Sequence, residues 1–227
     1  GMARAKAIIK EADFPYVSCN WVDLRTGLRV LPAVKLFPAG GKWIAFVGIT
    51  TPESFTKSTP AYFMNAKQTR YIYDILGGDD GAKLYDAVQK AIDKAKTLGA
   101  DYIIGLGHLG VDPSSAPWTS KDVIAHTTGI DVFLDGHSHE QYERTLPNRE
   151  GKDVVLAQTG TGLTAIGQVI LDPVTGEIQA ELVAGYAGRD PEMEEEIAAV
   201  QAQYEEQLSQ VVGSTDVALV TTDPATG

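Results

Sequence analysis

The most constraining feature of this chain is a strand–helix–strand unit between residues 80 and 134. A helix is expected from Asp80, as its cap, to about Leu98. Leu84, Val88, Ala91, Ala95 and Leu98 fall on one face at helical spacing, and Gly99 stands where a helix stops. Tyr102-Ile103-Ile104-Gly105-Leu106 follows as a continuous apolar run, the pattern of a strand buried on both faces. A second helix is expected from Ser120 to about Thr127, with Gly129 as its stop, and Ile130-Asp131-Val132-Phe133-Leu134 is the next strand. A crossover of this kind makes the two strands parallel neighbours, so the fold class is α/β.

Histidine positions gain meaning from that unit. The chain has four histidines. His108 stands just past the carboxyl end of the first strand, in Gly105-Leu106-Gly107-His108-Leu109-Gly110. His137 and His139 stand just past the second, in Asp135-Gly136-His137-Ser138-His139. Neighbouring parallel strands bring their carboxyl ends together, and open α/β sheets bind ligands there. Imidazole is a common ligand for divalent metals, and two imidazoles one residue apart can reach neighbouring positions. His108, His137 and His139 are therefore expected to form one metal site, rather than to cap turns. Asp135 is expected either to orient an imidazole or to brace the turn. His126, mid-helix and unpartnered, is given a structural or solvent role.

Bulk properties narrow the alternatives. With 227 residues, 44% apolar and 22% charged, the chain can bury a sizeable core. A net charge of -11 disfavours nucleic-acid polymers and anionic lipid, without excluding a small anion held by a metal. Cys19 is the only cysteine, so no internal disulfide is possible. No apolar run reaches the ~18 residues of a membrane span, and Gly1–Lys6 has no signal-peptide hydrophobic stretch. A serine hydrolase is disfavoured by the lack of a Gly-x-Ser-x-Gly elbow, and the glycines near 160 do not make a dinucleotide fingerprint.

The remaining segments are expected as follows. Residues 3–12 are helical, with Ala7, Ile8 and Ile9 as candidate buried positions, and Tyr16–Cys19 is a short strand. Val34–Phe37 and Trp43–Val47 form a hairpin around Gly40-Gly41. Residues 51–80 are mostly loop. Val154–Ala157 is a strand, and Gly167–Leu171 with Ile178–Val183 form a second hairpin. Asp190-Pro191 opens a helix that Gly213 ends, with Met193, Ile197, Val200, Tyr204, Leu208 and Val211 as its stripe. Val217–Val220 is strand-like.

Gly-His-Leu-Gly after one buried strand and Asp-Gly-His-Ser-His after the next resemble the later metal-binding motifs of the bacterial 5′-nucleotidase and 2′,3′-cyclic-nucleotide phosphodiesterase family, within the calcineurin-like metallophosphoesterases. Val47-Gly48-Ile49-Thr50-Thr51-Pro52, Gln158-Thr159-Gly160 and the long helix that follows resemble it too. The resemblance implies part of a four-layer α/β/β/α sandwich holding two divalent metals bridged by an aspartate. His108 and His137 would bind one metal and His139 the other. The metals would polarise a phosphoryl group and activate water. Zinc suits the imidazoles and manganese is implied by the resemblance.

The family site also draws on an Asp-x-His pair, a Gly-Asp pair and a Gly-Asn-His-Glu run, all expected upstream of Gly1. The chain is thus expected to be an internal fragment. Residues 1–189 would be the later portion of the metallophosphoesterase domain, 190–213 a connector helix, and 214–227 the start of a substrate-binding domain. The expected function is part of a phosphoesterase acting on nucleotide phosphate esters, inactive by itself, with an exposed sheet edge that favours self-association. The alternatives are a non-catalytic metal-binding or interaction module of the same descent, or the same fold acting on cyclic phosphodiesters or a sulfur ester. Family members are mostly exported, which implies an extracellular, cell-wall or periplasmic location.

Overall fold

The computed structural model describes residues 1–217. They fall into two compact units, Gly1–Gly185 and the part from Tyr186 onward. The first unit contains, in order, α1 (Met2–Glu11), β1 (Trp21–Asp23), β2 (Leu28–Arg29), β3 (Val34–Ala39), β4 (Lys42–Thr50), α2 (Ser54–Lys57), β5 (Tyr73–Ile75), α3 (Ala82–Thr97), β6 (Tyr102–His108), α4 (Ser120–His126), β7 (Val132–Asp135), β8 (Gln141–Pro147), β9 (Asp153–Thr159), β10 (Ala165–Leu171) and β11 (Ile178–Ala184). The second unit contains α5 (Pro191–Leu208).

The main sheet has the order β3-β4-β6-β7-β9-β8. Its four central strands are parallel, and β3 and β8 run antiparallel at the edges. The expected α/β class and the parallel pairing of the two runs at 102 and 132 are both observed, with Ile104 opposite Val132 and Leu106 opposite Leu134. Side chains alternate across the sheet. Ala45, Val47, Ile103, Phe133, Val154 and Leu156 form one core with Leu84, Val88 and Ile92 of α3 and Val123 and Ile124 of α4. Each large apolar side chain buried there contributes about 2 kcal/mol. On the opposite face of β9, Thr159 meets β10 so closely that a Cβ at Gly167 would lie 2.8 Å from its Cγ2. A helix layer, the main sheet and a two-stranded β layer are therefore stacked in this unit.

Local chemistry explains the elements that fix the sheet ends. Gly40 and Gly41, at φ 56° and 76°, supply the two positive φ angles that the β3–β4 turn demands. Pro38, which has no N–H to donate, sits on β3, an edge strand. Helix α4 starts at a capping box, in which Thr119 and Asp122 each accept the other's backbone N–H.

Several expectations are corrected. Tyr16–Cys19 is not a strand: Ser18 N–H donates to Pro32 and Cys19 N–H to Gly48, which are crossing contacts rather than a ladder. Ile8 is 43% exposed, and no residue of α1 is buried. Asp80 accepts from Ala82 N–H, but the cap position belongs to Gly81 in a left-handed conformation. Leu98 lies outside the core at 53% exposure, while Ala87 and Ile92 complete the buried face. Residues 51–80 are mostly loop, as expected, with three short elements: α2, a 3-10 turn at Pro60–Phe63 and β5. The α5 helix stops at Leu208, before Gly213, where the β-branched Val211 and Val212 disfavour helix. Beyond Val217, the strand-like run at 217–220 lies outside the described residues.

Candidate metal centre

Three parallel strands deliver this site. His108 is the last residue of β6 rather than just past the strand's end, and it pairs with Thr50 at the end of β4. His137 follows β7 by two residues. The His108 and His137 rings meet edge to face, with centroids 5.0 Å apart. His139, two residues on from His137, is exposed. The structure thus brings two of the three expected residues together and leaves the third nearby.

The turn that carries them is strained and braced. His137 and His139 have φ of 86° and 59°, in the left-handed region that side chains avoid. Each such residue costs about 1 kcal/mol or more and persists only where surroundings dictate it. Ser138, between them, supplies that restraint: its Oγ accepts from Val111 N–H at 3.2 Å and from Gln158 Nε2 at 3.1 Å. A Cβ at Gly110 would press on Ser138 at 3.2 Å, and one at Gly136 would come within 3.1 Å of His108 Nδ1. Backbone must pass close to these side chains, which is why glycine stands at both positions.

Asp135 resolves toward a brace. Its Oδ1 accepts from Leu109 N–H at 2.8 Å and so ties the end of β7 to the residue after His108. Its Oδ2 is buried and has no hydrogen-bond partner. His126 ends α4, with Nδ1 2.7 Å from the Asp122 carbonyl oxygen and its ring stacked 4.3 Å from Tyr85, in keeping with a structural role.

Sequence reasoning missed Glu53. Its Oε2 lies 2.6 Å from His137 Nε2 and accepts from Ser115 Oγ at 2.7 Å. Burial pushes this carboxyl up, but the hydrogen bonds from Ser115 and His137 outweigh it and hold the group below the usual carboxylate range. Loss of water around the His108 ring, together with the neighbouring His137, lowers the His108 pKa. The neutral imidazole thus favoured is the form that binds a metal.

The donors present suit zinc or a similar divalent ion: two contacting imidazoles, with an unpartnered buried carboxylate oxygen whose charge is felt at one of them. Among the described residues, no group of three His, Cys, Asp or Glu side chains is spaced to hold an ion. This donor set is therefore a partial one.

Comparison with known proteins places the chain. The 5′-nucleotidase of Homo sapiens is 31% identical over 150 residues, which is 63% of this chain. Over that stretch this chain is similar to the 5′-nucleotidases. It spans 22% of the human protein's length. The trifunctional nucleotide phosphoesterase YfkN of Bacillus subtilis is 28% identical over 143 residues, 58% of this chain and 9% of that protein. The sulfate thiohydrolase SoxB of Thermus thermophilus shares the fold, with a TM-score of 0.72 at 20% identity, over 94% of this chain and 36% of its own. No family model matches. No helix among the described residues is long and apolar enough to cross a membrane.

Proposed function

We propose that this chain is part of a metal-dependent phosphoesterase that hydrolyses nucleotide phosphate esters, with His108, His137 and His139 as metal ligands. The observation that supports this reading is the contact of His108 and His137 at the carboxyl ends of adjacent parallel strands, in a chain similar to the 5′-nucleotidases. A bound divalent ion, zinc or manganese, would supply Lewis-acid polarisation of the phosphoryl group and a more acidic water. The residues of this chain hold and orient that ion. Burial and the neighbouring His137 favour the uncharged His108 ring, and the Ser138 brace fixes the turn from which His137 and His139 project.

Among the described residues no group of three His, Cys, Asp or Glu side chains is spaced to hold an ion, so this chain alone is expected to turn over little phosphate ester. The reading extends to two metals per complete site and to an exported location, both on family resemblance. The deciding experiment is metal content after purification in zinc- or manganese-supplemented medium, for the wild type and a His137→Ala/His139→Ala variant. Near-stoichiometric metal in the wild type and a several-fold loss in the variant are expected. Equal content in both would overturn the assignment.

A further inference from the structure

Glu53 stands 84 residues from His137 in sequence and touches its Nε2. It reaches this place because β4 runs parallel beside β6, so that Thr50 pairs with His108 and the chain turns over the site immediately afterwards. The turn is well fixed. Thr51 is buried, its Oγ1 accepts from Glu53 N–H at 3.1 Å, and its carbonyl accepts from the Ser54 hydroxyl at 2.9 Å. Ser115, itself buried, donates to the same Glu53 oxygen that faces His137. Glu53 and His137 side chains are 12% and 16% exposed, so the contact is shielded from bulk water.

An ionised carboxylate only accepts hydrogen bonds. The 2.6 Å contact engages Nε2 and leaves Nδ1 as the ring nitrogen that Glu53 does not touch. Histidines that bind metals characteristically donate their other N–H to a carboxylate or carbonyl, which fixes tautomer and ring angle and raises basicity. We propose that Glu53 is a positioning residue for His137: its carboxylate accepts a hydrogen bond from Nε2–H, fixes the ring orientation, and so presents Nδ1 as the nitrogen that would face a metal. This inference rests on the metal reading above.

Two measurements test it on the whole chain. The first is the ring ¹H–¹⁵N long-range spectrum of His137 without metal, at pH 8. The Nε2–H tautomer is expected in the wild type and a mixture in Glu53→Ala. The second is zinc titration by calorimetry. Glu53→Ala is expected to lose roughly 10–100-fold in affinity. Glu53→Gln, whose carbonyl oxygen can still accept, should retain more affinity than the alanine variant at similar thermal stability. A wild-type His137 protonated at Nδ1, or wild-type zinc affinity in Glu53→Ala while His137→Ala loses it, would overturn the proposal. If the wild-type chain takes up no zinc, the metal reading falls, and the ring spectrum still decides whether Glu53 sets the tautomer.

Discussion

Cys19 shows how far a single residue's chemistry is set by where the fold puts it. It is fully buried, and burial pushes its thiol up to about 12, against which the nearby Arg29 guanidinium acts only weakly. The thiolate is the reactive form, so at pH 8 native Cys19 is almost entirely unreactive. Titration with a thiol-specific disulfide reagent is expected to give no label on the native chain and one equivalent in guanidinium chloride. Rapid labelling of native protein would show that the segment at 16–19 opens locally. The site residues were unequally legible for a related reason. His108 and His137 could be placed from sequence because a βαβ crossover dictates that the two strand ends adjoin. Glu53 could not, because its contact depends on β4 lying on the other side of β6, and nothing in residues 51–80 encodes that neighbour. Ser138 was visible only as the spacer of a His-x-His pair. Its role depends on Gln158 from β9 arriving across the turn.

At the scale of elements, α4 depends on its ends more than on its length. A seven-residue helix is too short to be stable from propensity alone. Thr119 is buried, accepts Asp122 N–H at 3.1 Å, and donates its hydroxyl to the Asp122 carboxylate at 2.6 Å. Thr119→Ala is expected to cost about 1–2 kcal/mol, read as a lower urea midpoint at unchanged slope. An unchanged midpoint would mean that tertiary packing alone holds α4. The elements that sequence reading recovered were those whose own pattern matched their environment. Helix α3 buries Leu84, Val88, Ala91 and Ala95 as the helical spacing requires. The one exception on that face, Leu98, is the C-cap residue just past the end of α3 and is exposed. Strand β8 was missed because it is an edge strand with mostly exposed side chains, Gln141-Tyr142-Glu143-Arg144-Thr145. Such a segment has no apolar run to announce it, and its strand character comes from pairing with β9.

At the scale of the molecule, the two units differ in what holds them. Residues 1–185 share a core in which Leu84, Ile92, Phe133 and Leu156 are fully buried. In the second unit, Met193, Ile197, Val200 and Tyr204 of α5 are all more than half exposed, and no residue of the helix is buried. The helix is specified by local signals instead. Asp190 accepts from Glu192 and Met193 N–H, Pro191 opens the first turn, and Glu192 and Glu194 face the positive end of the dipole. The segment 185–190 between the units is exposed throughout. Exposed connecting backbone is where proteases cut first. Brief digestion with a broad-specificity protease is therefore expected to give a first cut between 185 and 190, located by mass spectrometry. The large product should keep the thermal midpoint of the whole chain within about 2 °C, since no core residue is lost. The α5 peptide should show the same partial helical ellipticity free as in the intact chain, because 18 residues with caps but without a buried face are marginal in water in either setting. First cuts inside β6 or β9, or a product that melts well below the intact chain, would show instead that the residues beyond 185 contribute to the stability of the sheet.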